Sequence, residues 1–158
     1  MGQVAAIIGG GVIGGGWAAR FALNGWAVRV FDPDPEASRK IGEVLENARR
    51  SLPGLGNVAL PQEGVISFHP TVAKAVASAA WVQESVPERL ELKQKVYAEI
   101  MAHVGDETIV GSSTSGYKPS ELQAGQPRAE QIVVTHPFNP VYLLPLVELV
   151  TTPINHDV

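Results

Sequence analysis

Apolar positions along the chain fall into two alternating patterns. Short β-branched runs occur at residues 3–9 (QVAAIIG), 27–32 (AVRVFD), 64–69 (GVISFH), 79–85 (AAWVQES), 107–113 (ETIVGSS), 131–136 (QIVVTH) and 145–150 (PLVELV), and each is the length of a strand. Between them, residues 12–24, 35–51, 71–78 and 88–104 carry a helical period. In the last of these Leu92, Val96, Ile100 and Val104 recur at four-residue steps beside Tyr97 and Met101, with Pro87 and Glu88 suited to the first turn. Strands alternating with helices predict an α/β fold of the doubly wound type, a mostly parallel sheet joined by right-handed crossovers. The proline- and glycine-rich stretch 51–64 reads as an excursion from one domain, not a linker between two.

Composition narrows the class. A chain of 158 residues fits one domain with its own core, and a net charge of -4 with scattered cations offers no basic stripe for nucleic acid or an anionic membrane. With no cysteine, there is no disulfide scaffold, thiolate metal site or cysteine nucleophile. The apolar start lacks a cationic leader and is interrupted by glycines, so a soluble cytoplasmic protein is expected.

The first chemistry follows the first strand. GGGVIG, residues 9–14, satisfies G-x-G-x-x-G through Gly9, Gly11 and Gly14, with Val12 and Ile13 opening the helix. Gly9 permits a tight turn, Gly11 lets backbone approach a pyrophosphate, and Gly14 allows close packing of helix on strand. The anion then meets free N–H groups at the helix N-terminus. Asp32 ends the second strand, where a carboxylate accepts hydrogen bonds from ribose hydroxyls and repels a 2′-phosphate. NAD is therefore expected in preference to NADP. Together the strand, glycine loop, helix and acid predict a Rossmann-type arrangement.

A second candidate lies in HPFNPVYLLPLVEL, residues 136–149, where His136 and Glu148 stand among prolines and apolar residues. They are either satisfied loop residues or a proton-transfer pair. If the strand ending at His136 turns about Tyr142 and returns, residues equidistant from Tyr142 lie opposite one another, and these two would meet; a turn elsewhere would separate them. Oxidation of a secondary alcohol removes a hydride from carbon and a proton from oxygen, and histidine oriented by a carboxylate suits the proton. Other groups invite less. His69, His103 and His156 read as surface, capping or tail residues, and the four histidines have no metal-ligand spacing. Trp17, Trp26 and Trp81 read as packing. Ser112 and Thr114 lie in no nucleophile motif, which excludes a hydrolase.

These segments, with VQESVPERLELKQKV (82–96) and SSTSG (112–116), resemble the NAD-binding domain of the 3-hydroxyacyl-CoA dehydrogenases and their relatives that oxidise β-hydroxy groups with NAD. The resemblance spans residues 3–152 and implies a cofactor domain over 1–152, with 153–158 a tail or the start of the family's helical region. It implies that Glu88 and Lys93 hold the nicotinamide ribose, that Ser115 and Asn139 contact the substrate oxygen, and that His136 and Glu148 are the catalytic pair. Where the family has asparagine this chain has Ser113, so no role carries to that position. The family's C-terminal helical domain closes the cleft and forms a homodimer; it is absent from this chain, which is expected to turn over poorly alone. Within the family the wording is similar to the branch acting on L-carnitine. Phe138 and Tyr142 could supply aromatic faces for its quaternary ammonium, whereas residues 33–64 hold only Arg39, Lys40, Arg49 and Arg50 for the phosphates of an acyl-CoA. A gulonate-like sugar acid is the nearest rival, and a nucleotide-binding module without turnover is the non-enzyme alternative.

Overall fold

In the computed structural model, residues 2–56 and 59–155 are described; His156 and the end of the expected tail lie outside them. All seven expected strands form: β1 (Val4–Ile8), β2 (Ala27–Phe31), β3 (Ile66–Phe68), β4 (Trp81–Glu84), β5 (Ile109–Ser112), β6 (Ile132–Pro137) and β7 (Val147–Val150). They make one sheet in the order β3-β2-β1-β4-β5-β6-β7, parallel except for the last pair. The order reverses between β1 and β4. That is the switch point at which open α/β sheets bind ligands.

The helices are α1 (Val12–Leu23), α2 (Ala37–Ser51), α3 (Val72–Val76), α4 (Leu90–Met101) and α5 (Pro119–Gln123). Alternation along the strands supplies each layer with its own core. Ala6, Ile8, Val82, Val110, Ile132 and Val134 pack with residues of α3, α4 and α5, while Ile7, Val28 and Val30 face α1 and α2. The three tryptophans are half-buried, and Phe21 gathers them at ring separations of 5.8, 5.1 and 6.4 Å. The packing role expected for them holds.

Several local features differ from expectation. Helix α4 begins at Leu90 behind an extended Arg89, so Pro87 and Glu88 precede its first turn, and it ends at Met101 rather than at residue 104. Helix α5 went unpredicted because five residues are too short for a period; Pro119 starts it, and Glu121 accepts a hydrogen bond from the Lys118 N–H. Residues 52–55, within the 51–64 excursion, form a short 3-10 turn.

Candidate active site

The glycine loop crosses the C-terminal end of β1. Gly9 has φ +95° and donates its N–H to Phe31 O at 2.9 Å, while a Cβ there would come within 2.6 Å of Ser85 O. A Cβ on Gly14 would lie 1.8 Å from Gly9 O, so helix and loop touch backbone to backbone. Gly11 has nothing within 4 Å of the place a Cβ would occupy, and no side chain caps α1. An open approach onto uncapped first-turn amides suits a pyrophosphate.

Asp32 accepts hydrogen bonds from the N–H groups of Gly10 at 2.5 Å and Asp34 at 2.7 Å, so it shapes the loop. A cleft of about 420 Å3 opens beside Gly10, Gly11 and Val12 and is walled by α2 through Lys40, Glu43, Val44 and Asn47. Folding brings Lys40 to the wall of this cleft opposite the glycine loop. It is paired with Asp34 at 2.6 Å, an ion pair that raises the lysine and lowers the aspartate from their ordinary values.

The second centre is the hairpin of β6 and β7. Its register sets His136 opposite Glu148, and His136 Nδ1 lies 2.8 Å from Glu148 Oε2. The pair opens on a cavity of about 250 Å3 shared with Ser115, Lys118 and Val150. The hairpin connection folds back over α1: Val141 occupies the space where a Cβ on Gly16 would come within 2.7 Å of it, and Arg20 Nη1 donates to Tyr142 O at 3.1 Å. Tyr142 packs against the cluster of Ala19, Leu23, Leu45, Ala48 and Leu52, whereas Phe138 stands edge-on to the His136 ring at 5.9 Å. Of the two aromatics expected beside the pair, only Phe138 touches it. Asn139 is exposed in the connection, and Ser115 is exposed at the cavity.

Behind the Ser115 loop lies a buried charged network that joins the expected Glu88 and Lys93 to Glu84, which the sequence reading missed. Glu84, fully buried, accepts from Lys93 Nζ at 2.7 Å, Ser112 Oγ at 2.7 Å and Val86 N at 2.8 Å, and from the Tyr97 hydroxyl. Burial and then the Glu84 carboxylate push the Tyr97 hydroxyl well above its ordinary range, so it remains a donor. Lys93 is 1% exposed and reaches Glu88 at 3.3 Å. Glu88 in turn accepts from Thr114 Oγ1 and from the N–H groups of Ser115 at 3.1 Å and Gly116 at 2.9 Å. Burial raises the Glu88 carboxyl, but Thr114, Gly116 and Lys93 lower it by more, leaving it below its ordinary value. Lys93 thus stands behind Glu88, not on the open face. The available signal was a glutamate inside an apolar strand with a lysine nine residues on.

His69 and His103 bond locally, to Ser67 Oγ and Glu99 O. Among the described residues no cluster of three or more His, Asp or Glu could hold a metal, and no helix is long and apolar enough to cross a membrane.

The sequence pattern of the 3-hydroxyacyl-CoA dehydrogenase NAD-binding domain matches residues 4–157. An L-carnitine dehydrogenase/betainyl-CoA thioesterase of Ruegeria pomeroyi is 74% identical over 96% of this chain, which covers 31% of that relative. An L-carnitine dehydrogenase of Mesorhizobium japonicum is 59% identical over 92% of the chain and 40% of its own length. The chain therefore spans about a third of the length of these relatives. Among solved structures, an NAD+-dependent 5-formyl-3-hydroxy-2-methylpyridine 4-carboxylic acid 5-dehydrogenase superposes with a TM-score of 0.86 at 37% identity, over 98% of this chain and 50% of that one. With its glycine loop, switch point and sheet order in place, the chain belongs to the 3-hydroxyacyl-CoA dehydrogenase NAD-binding domain family, and its cofactor is NAD.

Proposed function

We propose that this chain is the cofactor-binding and proton-transfer domain of an NAD-dependent 3-hydroxy dehydrogenase acting on L-carnitine. The observation that carries the reading is the His136–Glu148 pair, 2.8 Å apart, opening on a cavity shared with Ser115. With Nδ1 engaged by Glu148, Nε2 is the nitrogen left to take the proton of a 3-hydroxyl group, and the carboxylate stabilises the imidazolium that forms. Ser115 and Asn139 hydrogen-bond the substrate oxygen and orient it toward Nε2. Bound NAD supplies the hydride acceptor. Gly9, Gly11, Val12, Ile13 and Gly14 receive the pyrophosphate, Asp32 takes the adenosine ribose, and Glu88, backed by Lys93, borders the nicotinamide ribose.

Carnitine is favoured over acyl-CoA because of the names its relatives carry and because three of the four α2 cations are paired with carboxylates, Arg50 alone meeting only the neutral Asn47. Arg39 pairs with Glu36 and Glu43, Lys40 with Asp34, and Arg49 with Glu46 and Glu63, leaving little positive field for CoA phosphates. Homodimerisation and a cytoplasmic setting belong to the same proposal. The test is NADH formation from NAD with L-carnitine, 3-hydroxybutyryl-CoA and gulonate offered separately, in a protein joining this domain to the region that follows it in its longer relatives. Turnover of L-carnitine above the other two is expected; preference for either rival overturns the substrate, and NADH binding without turnover of any supports the non-enzyme alternative.

A further inference from the structure

We infer that Ser85 contacts the nicotinamide half of the dinucleotide, its hydroxyl proton aimed by a one-way chain of hydrogen bonds at the carboxamide carbonyl oxygen. The inference rests on the NAD assignment and adds a residue that received no role from the sequence. The chain starts at Trp81, whose indole N–H can only donate, and it donates to Gln83 Oε1 at 3.0 Å. That contact fixes which end of the buried Gln83 amide is oxygen. Its Nε2 then donates to Ser113 Oγ at 2.9 Å and Thr135 Oγ1 at 3.0 Å, using both protons. Thr135 has carbonyl partners of its own, Ser112 O at 3.4 Å and Gln83 Oε1 at 3.2 Å.

Ser113 has already accepted, and among the described residues its only other side-chain partner is Ser85 Oγ at 2.8 Å. Donation to Ser85 is the arrangement that leaves no Ser113 proton unpaired. Ser85 accepts it and keeps its own proton for a partner outside the chain; no other side-chain hydrogen bond occupies it among the described residues.

Place gives that proton its target. Ser85 follows β4 directly, donates its backbone N–H to Ile8 O at 2.8 Å, and sets its carbonyl where a Cβ on Gly9 would meet it at 2.6 Å. It therefore stands at the β1/β4 switch point beside the glycine loop, and it is partly exposed. The nicotinamide end of a dinucleotide running from α1 along the strand ends offers a carbonyl there, an acceptor that matches a lone hydroxyl donor. The chain also gives Ser113 a use where the family has asparagine: the serine passes on the polarity set by Gln83.

The experiment compares the affinities of NADH, ADP-ribose, which lacks the nicotinamide ring, and reduced thionicotinamide adenine dinucleotide, whose thiocarbonyl is a poorer acceptor. Ser85→Ala is expected to weaken NADH by about 2- to 12-fold, the worth of one neutral hydrogen bond, and to leave ADP-ribose unchanged. Wild type should prefer NADH to the thio analogue, and Ser85→Ala should not. Ser113→Ala should weaken NADH in the same direction, and the double variant should lose no more than Ser85→Ala. Unchanged NADH affinity, equal loss of NADH and ADP-ribose, or retained discrimination against the thio analogue in Ser85→Ala each overturns the assignment. If wild type binds neither NADH nor ADP-ribose, the NAD assignment falls with it.

Discussion

Replacing Glu84 with glutamine should destabilise the domain strongly, because it breaks one side of a buried ion pair. The carboxylate is fully buried and is the close counterion of Lys93, itself 1% exposed, while three further donors converge on its oxygens. Glutamine keeps the shape but turns an N–H2 toward donors and leaves the ammonium with the Val86 carbonyl at 3.2 Å and Glu88 as counterion at 3.3 Å, the latter with a 41% exposed side chain. Breaking one side of a buried pair costs about 3–5 kcal/mol, and the remaining Glu88 contact argues for the lower end, roughly 3 kcal/mol. With a urea slope on the order of 2 kcal/mol/M, the unfolding midpoint should fall by about 1.5 M. Lys93→Met should cost a similar amount, and the double variant should recover most of it, because the uncompensated charge is gone. A shift under about 0.3 M for Glu84→Gln, or losses that simply add, would refute the reasoning.

Gly11→Val should fold with a near-wild-type urea midpoint, since nothing lies within 4 Å of the new Cβ, yet bind NADH at least a hundredfold more weakly; retained affinity would mean the loop is misread. Wild type should favour NADH over NADPH in equilibrium titrations, and Asp32→Asn should narrow that ratio by about tenfold or more, as a charge facing a 2′-phosphate is removed; an unchanged ratio would shift the discrimination to other residues. Glu88 is lowered in the folded state, so its contribution is present above the ordinary carboxylate range and is lost as pH falls through the lowered value. The thermal midpoint of wild type should therefore drop more between pH 6 and roughly pH 3 than that of Glu88→Gln, and parallel curves would contradict this.

The sheet was legible because strand alternation and helical period are local, and so was the β6–β7 register. A single assumed turn at Tyr142 predicts the His136–Glu148 pairing that the hairpin adopts. What escaped depends on contacts distant in sequence. Glu84 looks like one polar residue in an apolar strand until Lys93, Tyr97 and Ser112 converge on it, and Lys40 reaches the cleft beside Gly10 and Gly11 only because α2 crosses beside the glycine loop. The helix starting at Glu88 was misplaced because its carboxylate is drawn to the Thr114–Gly116 backbone instead of a first turn. Tyr142 was grouped with Phe138 by proximity in sequence, whereas folding packs it against the apolar cluster that α1 shares with α2.

The central claim is that His136, oriented by Glu148, takes the substrate proton without holding the cofactor. The direct measurement compares L-carnitine-dependent NADH formation and NADH affinity in wild type, His136→Gln, Glu148→Gln and the double variant, in the protein that joins this domain to the following region of its relatives. General acid–base groups contribute on the order of 10²–10⁴-fold, so His136→Gln should lose rate in that range with NADH affinity nearly intact, and the double variant should lose little more. Full turnover by His136→Gln, or losses from the two single variants that multiply in the double, would contradict a histidine base acting through its glutamate.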